Sequence, residues 1–316
     1  MKDAYRKLCE TEPTIPLFSQ AWWLDVVAGD DWDVVLVEKG GQYVGALPFV
    51  ERTRLGFCIL TQPGLSQALG PWIKPFQKSY PKKLAFEKDV LGALADGLPN
   101  YHHYSQNWSC GNTNWLPFYW RGFTQTTRYT YRLVGLGDKD KLWSGLQQNI
   151  RGDIRKARER FGLTVRQAQN IEEYLQLNRM TFERQGLTQP YSDNLIKAMD
   201  QAAASRSARD CLVAVDEKGQ LHAGVYIVRQ GDSAYYLLGG GNPDLRNSGA
   251  TSLVLWEAIC RQPEKIDIFD FEGSMIEPIE RFFRAFGAEM TPYFEISHTP
   301  SRVFGAIKSL RQMVRR

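Results

Sequence analysis

The sequence predicts an α/β (α+β) protein of two modules in tandem, each a mixed central sheet flanked by helices. Three observations carry this. The chain has 316 residues, about twice the length of an ordinary domain. It also repeats itself weakly: residues 34–50 (VVLVEKGGQYVGALPFV) and 211–228 (CLVAVDEKGQLHAGVYIV) share one pattern. Each is an alternating apolar strand, a turn holding Lys and Gly-Gln, and a second apolar strand with an early glycine, Gly45 or Gly224, which reads as a two-stranded hairpin. Third, the second half reads almost without gaps as β-α-α-β-β-β-α-β-α-β.

In the first half, Ser19 is placed to cap a helix to residue 28, and strands follow over 33–38 and 43–52. A Gly/Pro loop at 62–72 leads to a helix over 81–94 and a strand over 101–108, and the alternating stretch 129–134 closes the module. The boundary falls near 135–138, so the domains read as 1–136 and 137–316. The second half opens with a strand at 163–167 and a helix from Asn170, with Glu173 completing a capping box and Gly186 beyond the end. That helix carries the stripe Ile171, Tyr174, Leu175, Asn178 and Phe182. Then come a helix at 193–204, strands at 212–216, 221–230 and 233–240, and a helix over about 248–261. A strand at 266–271, a helix at 276–286 stopped by Gly287, and a strand at 291–297 complete the order.

Composition narrows the function classes. Forty-three per cent apolar and 23% charged residues describe a globular chain that needs no staple. A net charge of +4 is too small to mark a nucleic-acid binder, which requires a patch. Five scattered cysteines without C-x-x-C, and four histidines without H-x-x-x-H, support neither disulfides nor a metal site. No apolar leader or membrane-length run is present, so the expected compartment is the cytoplasm. His102 and His103 read as strand residues.

The sharpest local signal is Leu238-Gly239-Gly240-Gly241-Asn242-Pro243-Asp244-Leu245-Arg246-Asn247-Ser248-Gly249-Ala250-Thr251. It joins a strand end to a helix start through glycines that permit close backbone approach, and Arg246 adds a forked donor. Backbone N–H groups at such a helix N-terminus bind phosphate or pyrophosphate. The alternative is a plain strand–helix loop capped by Asn247 or Ser248. No G-K-[ST] follows, so it is not a Walker loop.

With R-N-S-G-A-T at 246–251 in place of [RQ]-x-x-G-x-[GA], the sequence resembles the GNAT acyltransferase superfamily. Residues 149–165 (NIRGDIRKARERFGLTV) and 269–288 (FDFEGSMIEPIERFFRAFGA) resemble more specifically its FemAB-like branch, whose chains hold two GNAT folds in tandem. The resemblance covers most of 137–298, and 15–134 only by architecture, so the first half reads as a degenerate GNAT-like domain on the acceptor side. Thr251 departs from the motif. The resemblance implies acyl-CoA (acetyl-CoA) as donor and no metal. Its pantetheine would lie on the strand edge around Leu238, Gly239 and Gly240, and its pyrophosphate on Arg246, Asn247, Ser248, Gly249, Ala250 and Thr251.

Attack of an amine on a thioester needs a proton acceptor and oriented reactants. Asp270 and Glu272, two apart on a strand, project from one face; one serves as base while the other raises its pKa. Alternatively, they hydrogen-bond the Gly273–Ser274 turn. Many GNAT enzymes protonate the leaving thiolate with a Tyr of the next helix. Residues 276–286 hold none, which leaves Tyr293 or Tyr236.

Arg151, Arg155 and Arg158 fall on one helical stripe suited to a phosphate-bearing partner or simply to water. Trp72, Trp115 and Tyr119 line an acceptor cleft between the halves or belong to a core. The basic tail 302–316, with Phe304, Ile307, Leu310 and Met313 opposite its charges, packs on the body or rests on an anionic membrane. The expected function is an N-acyltransferase that moves an acyl group from acyl-CoA to an amino sugar, amino acid or cell-envelope precursor bound between the halves. The alternatives are a FemAB-like transferase that takes an aminoacyl group from tRNA to a peptidoglycan-type precursor, and a non-catalytic GNAT-like module. No long heptad arm supports the former, and DNA is not an expected partner.

Overall fold

The computed structural model describes residues 1–273 and 275–314, the side chains of 309 and 311–314 excepted. Ser274, the Met313 side chain and residues 315–316 of the basic tail lie outside the described residues. The chain divides into two compact units, Met1–Arg128 with Pro292–Arg316, and Tyr129–Thr291. The C-terminal stretch therefore belongs with the first unit and not with the second half, to which sequence order assigns it.

The first unit begins with α1 (Lys2–Thr11), whose buried Tyr5 donates to the Ser19 carbonyl at 2.6 Å. Ser19 consequently ends a short 3-10 turn and does not cap; α2 (Ala21–Ala28) starts after Gln20. β1 (Trp32–Lys39) and β2 (Gln42–Arg54) form the expected antiparallel hairpin. Gly40 and Gly41, at φ 60° and 76°, supply the left-handed turn that matches strand twist. β3 (Phe57–Thr61), which the sequence reading passed over, returns along β2, and the short β4 (Trp72–Ile73) also pairs with β2. α3 (Tyr80–Asp96) lies over β2 at Gly45, where an added Cβ would strike Val90. β5 (His103–Asn107) runs parallel to β3, and α4 (Leu116–Tyr119) precedes β6 (Thr124–Val134). Leu47, Leu60, Val90, Leu94, Tyr104, Trp108 and Phe118 fill this core.

The second unit starts from the end of β6. Asp138 caps α5 (Lys139–Gly145), and Ile150, Ile154 and Ala157 form the buried stripe of α6 (Gln148–Glu159). β7 (Thr164–Gln167) leads to α7 (Ile171–Arg184), capped by the Asn170 side chain on the Glu172 and Glu173 amides. Next come α8 (Asp193–Ala204) and the strands β8 (Arg209–Val215), β9 (Leu221–Gln230) and β10 (Ser233–Gly241). A 3-10 turn, Pro243–Ser248, leads into α9 (Ala250–Cys260). α9 is apolar around most of its circumference and buries Leu253, Val254, Leu255, Ala258 and Ile259 between α6 and the sheet. β11 (Ile268–Asp270), α10 (Glu277–Arg284) and β12 (Glu289–His298) follow. The sheet order in this unit is β6-β11-β10-β9-β8-β7, with β10 and β11 parallel.

Each unit takes its last strand from the other half of the sequence. β6 pairs antiparallel with β11 at residues 132–134, while β12 pairs antiparallel with β5. This exchange is why a cut at 136/137 does not coincide with the compact units. The tail forms α11 (Arg302–Val314) in the first unit, where Phe304 stacks on His103 and meets Phe57 edge-on, each at 5.3 Å. Burial beside Lys308 pushes His103 down to about 4, so its ring is neutral at pH 7.

Gly240 and Gly241 test the packing of α7 on β10. A Cβ at Gly240 would stand 2.7 Å from the Asn178 amide nitrogen, which is fixed helix backbone. At Gly241 nothing comes nearer than 3.7 Å. Gly240→Ala is expected to lower stability by about 1–3 kcal/mol, and Gly241→Ala to leave it within about 1 kcal/mol. Urea midpoints of the two variants check this.

Candidate active site

The site begins where a pairing stops. β10 and β11 pair only over Ser233–Tyr235 against Ile268–Asp270, while β10 continues to Gly241 with β9 beside it. Between Tyr236 and Leu238 the register to β9 slips, leaving Leu237 as the extra residue of a bulge, a device that bends a strand and ends its pairing. Past this point one edge of β10 has no strand beside it among the described residues. Side chains of α7 meet the glycines there. Asn178 Nδ2 donates to the Gly239 carbonyl at 3.1 Å, and Thr181 Oγ1 accepts from the Gly241 amide at 2.9 Å. The Tyr236 hydroxyl occupies the space of a Gly239 side chain, and α7 backbone occupies that of Gly240.

Asn178 is the hub of this arrangement. It is 1% exposed; its Nδ2 also reaches the Tyr174 hydroxyl, and its Oδ1 accepts from Gln189 Nε2 and the Tyr191 hydroxyl at 2.8 and 3.1 Å. Its helical spacing puts it on the buried stripe, as the sequence predicts. Its polar role was illegible there, because Gln189 and Tyr191 reach it from beyond the helix.

At its far end β10 delivers the chain to α9. Gly249 adopts φ 78° and α9 has no side-chain cap, although Ser248 Oγ accepts from the Ala250 amide at 3.3 Å. A Cβ on Gly249 would strike the Asp153 carbonyl, so the contact of α9 with α6 by itself requires glycine at this position. A cavity of about 440 Å³ surrounds the junction. Of the expected donor-binding residues, Gly239, Gly240, Arg246, Ser248, Gly249, Ala250 and Thr251 line it, whereas Leu238 and Asn247 do not. Arg184, His222, Thr181, Tyr236 and Phe282 also line it. His222 is 5% exposed and neither ring nitrogen has a hydrogen-bond partner among the described residues; Asp216 Oδ2 lies 3.6 Å from its Nε2. The cavity thus joins an uncapped helix N-terminus to two guanidinium groups, the donor set that anionic phosphate requires. No group of three metal-ligating side chains occurs among the described residues.

The carboxylates are arranged differently from the strand-face expectation. β11 ends at Asp270, and Glu272 lies past it in the left-handed region at φ 58°, followed by Gly273 at φ 51°. The two side chains therefore do not share a strand face. Asp270, 4% exposed, accepts from Thr130 Oγ1 at 2.5 Å and from the Glu272 amide at 2.8 Å, with Arg132 Nε 3.6 Å from its other oxygen. It secures the turn. Glu272 keeps a buried Oε1 with no hydrogen-bond partner among the described residues, and burial together with the Asp270 charge holds its carboxyl well above the usual carboxylate range. Left-handed backbone on a non-glycine residue costs about 1 kcal/mol or more, and strain of this kind gathers at functional sites. Because Tyr235 is opposite Asp270, Glu272 stands near the level at which β10 leaves β11. Burial pushes the Tyr236 phenol up to about 12.

Other expected residues lie elsewhere. Tyr293 belongs to the first unit. On α6, Arg158 pairs with Glu257 at 2.6 Å, Arg151 donates to the Ser144 carbonyl at 3.2 Å, and Arg155 is exposed; none of the three lines the cavity. Trp72 is buried in the first unit, where its indole donates to Thr14 Oγ1 at 2.9 Å. With Trp108 it lines a separate cavity of about 490 Å³. Trp115 packs edge-on against the exposed Tyr119 at 5.4 Å, outside that cavity's lining.

Residues 144–284 match the acetyltransferase (GNAT) domain family. No curated protein sequence matches the chain. Among solved structures, FemX shares the fold at TM-score 0.67 and 12% identity, over 100% of this chain and 98% of that one. L-PGS from Bacillus licheniformis does so at 0.56 and 12%, over 99% and 97%. A tandem GNAT protein from the clavulanic acid biosynthesis pathway does so at 0.53 and 12%, over 94% and 92%. The shortened β10–β11 pairing and these likenesses agree: residues 144–284 form a GNAT domain, and the chain has a FemAB-like tandem GNAT fold.

Proposed function

We propose that the protein is an N-acyltransferase that takes an acyl group from acyl-CoA and gives it to the amine of a small acceptor, such as an amino sugar, an amino acid or a cell-envelope precursor. One observation carries this reading: an unpaired strand edge runs into an uncapped helix N-terminus flanked by Arg184 and Arg246, and a strained, desolvated carboxylate stands where that edge opens. The amides of a pantetheine chain suit the edge, and its pyrophosphate suits the amides of α9 and the two arginines.

Glu272 is the base in this reading. Its raised pKa brings it nearer that of the ammonium it must deprotonate, which favours transfer near neutral pH. The amine nitrogen attacks the thioester carbon and the carbon–sulfur bond breaks. Of the two protons the ammonium loses, one leaves through Glu272 and the other balances the thiolate. Tyr236, protonated at neutral pH and in the cavity wall, is the donor to that thiolate; Tyr293 is not needed. Asp270 positions Glu272 through its amide.

Calorimetry with free CoA tests the donor. Arg246→Ala is expected to weaken CoA binding about 10- to 100-fold, the effect of losing one charge-assisted contact; unchanged affinity refutes the assignment. For turnover, Glu272→Gln is expected to lower kcat by about 10²–10⁴-fold with CoA affinity retained. The wild-type rate should rise with pH through an acidic limb above the ordinary carboxylate range, and that limb should vanish in the variant.

Stability has the opposite dependence. A carboxyl with a raised folded-state pKa binds its proton more tightly when folded, so stability is lost as pH rises from the unfolded value through the folded one. Glu272→Gln should therefore raise Tm at pH 8, and the gain should shrink as pH falls towards the ordinary carboxylate range and be gone below it. Thermal melts across that window check the sign.

A further inference from the structure

We propose that the first unit carries a docking surface for an anionic lipid bilayer, formed by the β2–β3 turn and the outer side of α11. Leu55 and Gly56 alone join the two strands, both in the left-handed region at φ 52° and 77°, with Arg54 opposite Phe57. A two-residue turn of this kind favours Asn-Gly. Its first position here holds a leucine, 76% exposed, which follows the exposed Arg52 and Arg54. An exposed leucine where the backbone suits asparagine serves neither the core nor the turn.

α11 lies against this turn. Phe57, two residues past Leu55, meets Phe304 edge-on, Phe304 stacks on His103, and Lys308 Nζ stands 3.4 Å from Nε2 of that histidine. That side of the helix is spent on the unit itself. Val303, Ala306 and Leu310 stay exposed, the first and last at 63% and 62%. All three lie within α11, and spacings of three and four residues put them on one side. The apolar stripe read from the sequence is thus divided: Phe304 packs inward and Leu310 does not. Charge decides the occupant. Residues 52–57 and 299–316 hold seven Lys and Arg and no acidic residue. Anionic headgroups attract such charges, and the acyl boundary beneath them takes apolar side chains. Nucleic acid would match the charge but leave Leu55 and Leu310 in water, and a second copy of the chain would bring like charge.

Sedimentation of the full chain with phosphatidylcholine vesicles, with and without one third phosphatidylglycerol, tests this. Binding is expected to the mixed vesicles, to weaken as salt rises, and to be far weaker to phosphatidylcholine alone. A basic side chain near an anionic surface strengthens adsorption about fivefold, so Arg52→Gln with Arg54→Gln should weaken it about 10- to 30-fold. Leu55→Asp with Leu310→Asp should weaken it at least about tenfold. The melting temperature of that variant should hold or rise, because both side chains are exposed and Asp tolerates left-handed backbone better than Leu. Equal binding to the two vesicle types overturns the proposal, as does undiminished binding of either variant. Retention of tRNA without sedimentation on either vesicle also overturns it and gives the charges to nucleic acid.

Discussion

Three residue pairs between β10 and β11 govern the second unit. Ser233–Tyr235 and Ile268–Asp270 hold the strands together for that distance only, and the candidate site lies beyond. Had the pairing continued, the backbone groups of Gly239 and Gly241 would have been spent in a ladder. The bulge at Leu237 turns β10, and the polypeptide after Asp270 leaves in a left-handed turn. Such an edge is a liability unless managed. α7 covers part of it through Asn178 and Thr181, whose side chains supply hydrogen bonds that a neighbouring strand would otherwise make.

The same divergence explains the chemistry of the carboxylates. Asp270 still belongs to the strand, is anchored by Thr130, and spends its charge on the Glu272 amide. Glu272 is the second residue past β11, with a buried oxygen that has no hydrogen-bond partner among the described residues and an unfavourable backbone. An interior glutamate in this condition weakens the fold at neutral pH, and such groups persist where a reaction uses them. Two acidic residues two positions apart thus meet opposite surroundings: Asp270 accepts two hydrogen bonds on one oxygen, whereas a buried oxygen of Glu272 has no partner among the described residues.

The glycines of the repeat do the same work in both halves, and those outside it differ. Gly45 and Gly224 each allow a helix to approach a hairpin strand, α3 in one unit and α7 in the other. Gly249 serves helix–helix contact, and Gly240 helix–strand contact. Gly241 alone of that run has open space around it. The glycine-rich loop is largely a set of packing sites, and the cavity beside it is lined by the first residues of α9 and by Arg184 and Arg246.

Local chemistry legible in the sequence determined most elements of this protein. Alternation in 34–50 and 211–228 specified the hairpins, Asn170 the start of α7, and the all-apolar run from Ala250 the buried helix. The family resemblance rested on R-N-S-G-A-T and its neighbours, and the fold agrees. What depended on long-range contact was not legible. Arg184 comes to the cavity from the end of α7 and Arg246 from the loop, while the regularly spaced Arg151, Arg155 and Arg158 stay outside, because helical periodicity selects a face and not its neighbour. The strand reading of Asp270 and Glu272 failed for a similar reason: an extended pattern cannot reveal that hydrogen bonds to Thr130 and pairing with β6 end the strand one residue early. The exchange of β6 and β12 was likewise decided by tertiary structure, since sequence order carries no record of which sheet completes itself with a distant strand.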